Sequence, residues 1–124
     1  MGKTVFCKYM AHRHKAVVAT GGKTADIAQI FAGLAESGRD LNSPFTFIMN
    51  IPRDMPARHV KYRALEGVKD GLITSSKYES QTLLFNSPHV WVFANEMPIV
   101  ETLTVDRWEV YKINQNYELV RVYV

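Results

Sequence analysis

The sequence predicts an α/β fold: a mostly parallel sheet flanked by helices. Three observations point there. "FTFIMNI" (Phe45–Ile51) and "HVWVFAN" (His89–Asn95) are nearly unbroken apolar runs of strand length. Such runs suit strands covered on both faces. Helical-period segments stand before and between them, and strands alternating with helices imply βαβ units with parallel strands.

The elements follow in order. "TVFCKYMAHRH" (Thr4 to His14) mixes apolar and basic residues and reads as a helix, although Val5 and Phe6 favour strands. "AVVAT" (Ala16 to Thr20) is a short buried strand that ends at a Gly21-Gly22 turn. In "TADIAQIFAGLAES", Ile27, Ile30, Phe31 and Leu34 share one helical face, so a helix is expected near Ala25–Ser37. Thr24 is its expected cap and Gly38 its stop. Asn42-Ser43-Pro44 breaks the chain before the strand Phe45–Ile51, which Pro52 closes. "ARHVKYRALEGVKDG" puts Val60, Ala64, Leu65 and Val68 on one side, giving a helix near Arg58–Asp70. "LITSSKYESQTLLF" has a polar middle between β-prone ends and suggests a hairpin or loop. A buried-type strand is expected at Val90–Ala94. "RWEVYKIN" and "YELVRVYV" read as strands joined by a turn at Asn114–Asn116.

Bulk properties narrow the function classes. The 124 residues suffice for one domain, and the 47% hydrophobic content suits a packed core. No apolar run approaches the roughly 18 residues of a membrane span, and no signal-peptide pattern opens the chain. No membrane partner and no secretion are expected. Cys7 is the single cysteine, so an internal disulfide is impossible; it reads as a buried small hydrophobe. The net charge of +3 is compatible with nucleic acid without being diagnostic of it. The four histidines show no ligand spacing, and no structural metal is expected.

In parallel α/β sheets, ligands bind beyond the carboxyl ends of the strands. Residues Asn50 to Arg53 and Asn95 to Pro98 occupy those positions. Four stretches bear on what binds there: "GKT" (Gly2-Lys3-Thr4), "FIMNIPR", "EGVKDGLITSSKYES" and "VWVFAN" followed by "LTVDRW". In this order and spacing they resemble the superfamily 3 helicase domain of replication-associated proteins. Those proteins come from circular single-stranded DNA viruses of circovirus, nanovirus and alphasatellite type. The resemblance runs from Gly2 to about Ile113.

The resemblance implies a P-loop NTPase fold that uses ATP and Mg²⁺. Gly2, Lys3 and Thr4 match the end of the Walker A loop, with Lys3 on the β- and γ-phosphates and the Thr4 hydroxyl on Mg²⁺. As a plain reading, Lys3 is a solvated lysine. The chain is expected to be truncated before the Walker A strand, and the nuclease domain usual in the family is expected to be absent. Loss of that strand is expected to leave a gap between Phe45–Ile51 and Val90–Ala94, with exposed edges. Direct pairing of the two would mean a closed sheet.

Asn50 stands where the family's Walker B strand usually carries a metal-holding aspartate. It is otherwise a strand-end polar residue. An amide has neither charge nor basicity, and Asp54 and Glu96 are candidates to supply charge at the same edge. Asn95 matches the sensor that would hold the γ-phosphate or the attacking water, or else it is a turn residue before Pro98. Arg107 would reach phosphates across a subunit boundary, or pair with Asp106. Arg53 is a further candidate cation, and Trp108 is packing. Lys69, Lys77 and Tyr78 match the segment that faces single-stranded DNA, by phosphate attraction and base stacking. Otherwise they are surface charges and core.

The implied whole is an ATP-dependent helicase domain in rolling-circle replication. It would act on single-stranded DNA, with RNA as an alternative, as a homo-oligomeric hexameric ring inside the cell, in the host nucleus for a eukaryotic virus. The competing expectation is an inactive remnant that serves only as a nucleic-acid-binding or oligomerisation module. Asn50 and the cut loop favour it.

Overall fold

The computed structural model describes residues 3–21, 23–75, 81–99, 103–104, 107–116 and 118–122. Helix α1 (Lys3–His14) comes first, with His12, Arg13 and His14 in its last turn. Those groups suit the negative end of the helix dipole. The β-prone Phe6 is held helical by tertiary contact: its ring packs 5.8 Å from Trp91 and 5.6 Å from Phe93.

Strands β1 (Val17–Thr20) and β2 (Thr46–Asn50) pair in parallel, and β2 pairs in parallel with the later strand His89–Phe93. Helix α2 (Thr24–Glu36) connects β1 to β2. A 3₁₀ turn (Ala57–His59) and helix α3 (Tyr62–Asp70) follow β2. Strands β3 (Leu72–Ser75) and β4 (Gln81–Leu84) form an antiparallel hairpin, so the parallel strand after them is β5. A second antiparallel hairpin, β6 (Val110–Ile113) and β7 (Leu119–Val122), comes last. The α/β expectation holds, but among the described residues only the three-stranded β1-β2-β5 sheet is parallel.

Central β2 is covered on both faces: Phe47, Ile48 and Met49 are each 0% exposed. Val17, Ala19, Phe47 and Met49 face α2, α3 and the first hairpin, where Phe31 stacks on Phe85 at 4.9 Å and lies 5.2 Å from Phe47. On the opposite face, Ile48 joins Cys7, Ala16, Met10, Val18 and Phe93 under α1. Cys7 is buried as expected, and burial pushes its thiol up from the ordinary value.

Several expectations change. β5 is an edge strand among the described residues, with Trp91 47% exposed, rather than a strand buried on both faces. The expected gap is closed: Phe47 is in register with Val90, and the Ile51 N–H donates to the Phe93 carbonyl at 2.8 Å. Direct pairing satisfies backbone groups that a gap would leave orphaned. Helix α2 is capped at Lys23, whose N–H donates to the Asp26 carboxylate at 3.2 Å, so Thr24 is its first residue and not its cap. Gly38 follows the helix end at φ +82°. The helix expected from Arg58 begins at Tyr62, because Val60 turns extended (φ −82°, ψ 128°) and is buried. Gly71 ends α3 at φ +77°, where a Cβ would lie 1.9 Å from the Phe85 carbonyl oxygen. Both hairpins appear where expected, and the Asn114 carboxamide oxygen closes the second turn on the N–H groups of Asn116 and Glu118. Among the described residues, no helix is long and apolar enough to cross a membrane.

Candidate functional site

The three parallel strands end together, and their carboxyl edge collects several of the residues expected to matter. β2 ends at Asn50, which is half-buried and in register with Thr20 of β1 and Phe93 of β5. Its carbonyl accepts from the Gly21 N–H at 3.3 Å. Asn95 lies two residues past the end of β5. Helix α1 starts at the same edge, since the Lys3 ammonium donates to the Ala94 carbonyl and to Asn95 Oδ1, each at 2.8 Å. The first N–H groups of α1, which have no partner within the helix, therefore also open at this edge.

Arg53 is exposed, in the turn that the Met55 N–H closes on the Pro52 carbonyl at 3.1 Å. Burial first, and then the Arg53 charge, hold the Lys3 ammonium below its ordinary value. The carboxylates nearby are engaged or exposed. Glu96 accepts from the Ala57 N–H at 2.8 Å, and its charge adds to burial in pushing the Tyr62 hydroxyl up. Asp54 is exposed.

Thr4 and Asn50 are the residues matched to Mg²⁺. That ion prefers hard, charged oxygen donors in a near-octahedral shell. Asn50 offers a neutral amide, and Lys3 and Arg53 bring positive charge. Among the described residues, no three His, Cys, Asp or Glu side chains cluster as a metal site would. Thr4 and Asn50 by themselves supply no charged oxygen, and the exposed Asp54, in the turn after β2, is a carboxylate at this edge.

Other expected residues lie elsewhere. The Lys69 ammonium donates to the Pro88 carbonyl at 2.9 Å, at the amino end of β5. Arg107 grips both oxygens of Asp70 at the end of α3, at 2.5 and 3.3 Å, and is likewise at the amino end of the sheet. β5 separates the two ends by about 13 Å, at ~3.3 Å per residue. Gly2, Lys77, Tyr78 and Asp106 lie outside the described residues. An open groove of about 610 Å³ also lies at the amino end, lined by His14, Lys15, Arg39 and Phe45, apart from the carboxyl edge.

Sequence reasoning missed two features. Glu66 is 9% exposed and accepts from Thr104 N–H (3.0 Å), Thr104 Oγ1 (2.6 Å) and Trp108 Nε1 (2.7 Å). With Asp70 one helical turn on, it straps the segment after β5 to α3. The i, i+4 carboxylate pair on α3 was the available signal. The second feature is Lys23, which caps α2 beyond the end of β1 on the carboxyl edge, two strand spacings (about 10 Å) from β5. A repeated G-K-T, at Gly22-Lys23-Thr24, could have singled it out.

Fold and site together define an α/β chain whose parallel sheet gathers a lysine, two asparagines and an arginine at its carboxyl edge. No family model and no solved structure matches the chain. Its homologues are viral master replication proteins and the Para-Rep proteins of alphasatellites. The master replication protein of subterranean clover stunt virus (strain F) is 34% identical over 106 residues, covering 86% of this chain and 33% of that protein. Para-Rep C10 of the milk vetch dwarf C10 alphasatellite is 30% identical over 108 residues, 86% of this chain and 35% of that protein. The master replication protein of banana bunchy top virus is 30% identical over 106 residues, with coverage of 86% and 33%. The chain spans about a third of the length of the curated relatives it matches.

Proposed function

We propose that the chain is the ATP-binding helicase domain of a replication-associated protein, with a P-loop NTPase arrangement, acting on single-stranded nucleic acid in rolling-circle replication. One observation carries this reading. Lys3, matched to the Walker lysine, and Asn95, matched to the sensor, meet at 2.8 Å although they are 92 residues apart. Asn50, at the Walker B position, ends the adjacent strand. The names of the relatives supply the replication context.

Lys3 would leave the Ala94 carbonyl to take the β- and γ-phosphates, beside the N–H groups that open α1. Asn95 would then be free to hold the terminal phosphate or a water. Arg107 lies at the far end of its own sheet, so it would serve the site of a neighbouring copy in a ring. Lys69, Lys77 and Tyr78 would contact the nucleic acid. Asn50 favours a second reading, a module that binds without hydrolysing, because an amide cannot take a proton from water at neutral pH.

Calorimetry of ATP binding tests the reading. Lys3→Ala removes charge-assisted hydrogen bonds of about 1.5–3 kcal/mol, so affinity should fall roughly ten- to a hundredfold. A folded chain that fails to bind ATP, or a Lys3→Ala variant that binds equally well, sinks it. ATP turnover separates the two readings.

A further inference from the structure

The groove at the amino end of the sheet carries features that packing does not require. It lies between the end of α1 and the segment joining α2 to β2, and is lined by His14, Lys15, Arg39, Asp40 and Phe45. Arg39 ties its walls together. The Arg39 Nη2 donates to the Lys15 carbonyl at 2.7 Å, and the guanidinium lies 5.8 Å from the centre of the Phe45 ring. These contacts hold the guanidinium and leave further N–H donors of its fork for a ligand.

Lys15 is the second feature. It has φ +53°, the one non-glycine residue at positive φ among the described residues. At a helix end this left-handed position usually falls to glycine, because a Cβ there is strained. Backbone alone closes the turn, from the Ala16 N–H to the Met10 carbonyl at 3.1 Å. The lysine therefore strains the backbone without serving the turn. It is exposed, and no ion pair holds it among the described residues. Strain of this kind points to a use for the side chain.

The charge here is unbalanced. α1 and Lys15 after it include no Asp or Glu, and Lys8, Tyr9, Arg13 and His14 are exposed. The helix dipole accounts for cations in the last turn of α1, but not for Arg39, which comes from another element. Acid is present too. Asp40 lines the groove and keeps its charge, since the Asn42 N–H and the Ser43 hydroxyl donate to it and hold its carboxyl below the ordinary value. Glu36, in the last turn of α2, is exposed. Against them stand Lys15 and Arg39 in the lining and Lys8 and Arg13 on α1.

The rings at the rim select the partner. Tyr9 is 51% exposed, and its ring lies 5.5 Å from that of His14, edge to face. Phosphates attract cations whatever the base sequence, and exposed rings stack on unpaired bases. An acidic peptide would use the cations alone, and a duplex hides its base faces. We propose that this groove binds single-stranded nucleic acid, with Lys15 and Arg39 on phosphates and Tyr9 and His14 against bases. This contact is separate from Lys69, Lys77 and Tyr78 and does not depend on the nucleotide site.

Fluorescence anisotropy of a labelled oligothymidine strand, titrated with the full chain over a salt series, tests it. Lys15→Gly suits the left-handed backbone, so it keeps the fold while removing the ammonium. It should bind threefold or more weaker, and the slope of log affinity against log salt should shallow by about 0.7, one phosphate contact. Arg39→Gln and Tyr9→Leu should each lose threefold or more. Lys112→Gln removes the same charge from an exposed position on β6 and should lose less than threefold. Circular dichroism and urea midpoints establish that each variant is folded. The proposal is overturned if the wild-type chain does not bind the strand, if Lys15→Gly binds within threefold of wild type, or if Lys112→Gln loses as much as Lys15→Gly. Tyr9→Leu binding within threefold of wild type, or full displacement of the strand by tripolyphosphate at equal phosphate concentration, overturns it in favour of a simple anion site. ATP binding at the carboxyl edge is measured separately, and none of these results decides it.

Discussion

Glu66 offers the sharpest test of the architecture. Its carboxylate is almost fully buried and accepts three hydrogen bonds, two from Thr104 and one from Trp108. Glu66→Leu keeps similar bulk but strands the Thr104 N–H and the Trp108 indole N–H. Each stranded donor costs about 1–3 kcal/mol. Both donors are only partly buried, so water recovers part of this, and the expected loss is about 2–4 kcal/mol. Glu66→Gln behaves differently. Its amide oxygen can serve the two N–H donors, while its NH₂ donates to the Thr104 hydroxyl, which can rotate to accept. Only the charge assistance is lost, about 1 kcal/mol. Urea unfolding followed by circular dichroism measures both variants. If Glu66→Leu lies within about 0.5 kcal/mol of wild type, or Glu66→Gln is as damaging as Glu66→Leu, the strap does not stabilise the fold as argued.

The same carboxylate sets a pH dependence. Burial pushes its pKa up, but the hydrogen bonds from Thr104 and Trp108 and the Arg107 charge outweigh this and hold it below the ordinary value. A depressed folded pKa means that the stabilisation is complete above the unfolded value of about 4.3, and fades as pH falls through the lower folded value. Unfolding midpoints measured across that window should drop for wild type and stay flatter for Glu66→Gln. Gly71→Ala should destabilise by at least ~1–3 kcal/mol, since a Cβ at positive φ meets the Phe85 carbonyl; an unchanged urea midpoint would contradict the observed turn. Phe47→Ala, at the 0%-exposed centre of the sheet, should cost about 3–5 kcal/mol. Val5→Ala, at a side chain 71% exposed, should change the same midpoint by ~0.5 kcal/mol or less.

The site was legible in part. Asn50 and Asn95 could be placed at the carboxyl edge because a strand-length apolar run followed by a polar residue marks a carboxyl end, and parallel sheets align those ends. Lys3 could be assigned only by resemblance, and its contact with Asn95 joins residues that no local pattern connects. Lys69 and Arg107 look alike in sequence, as cations near turns. In the structure both are taken up at the amino end of the sheet, on Pro88 and Asp70. The carboxylate pair on α3 marked Glu66 only weakly, because its three donors come from a segment 38 to 42 residues further on.

What the sequence determined by itself was local. The 3.6-residue period of Ile27, Ile30, Phe31 and Leu34 dictates α2, the apolar run Phe45–Ile51 dictates a strand, and Gly38 and Asn114 dictate a stop and a turn. These outcomes depend on backbone geometry and on neighbours within a few residues. Tertiary structure alone decided which strands touch. It put β2 directly against β5 and, among the described residues, left β5 at the edge, because unpaired ladder groups on two facing strands are costlier than direct pairing. It also brought the Arg53 charge to bear on Lys3. Side chains distant in the chain feel one another's charge only after the sheet has aligned the loops that carry them.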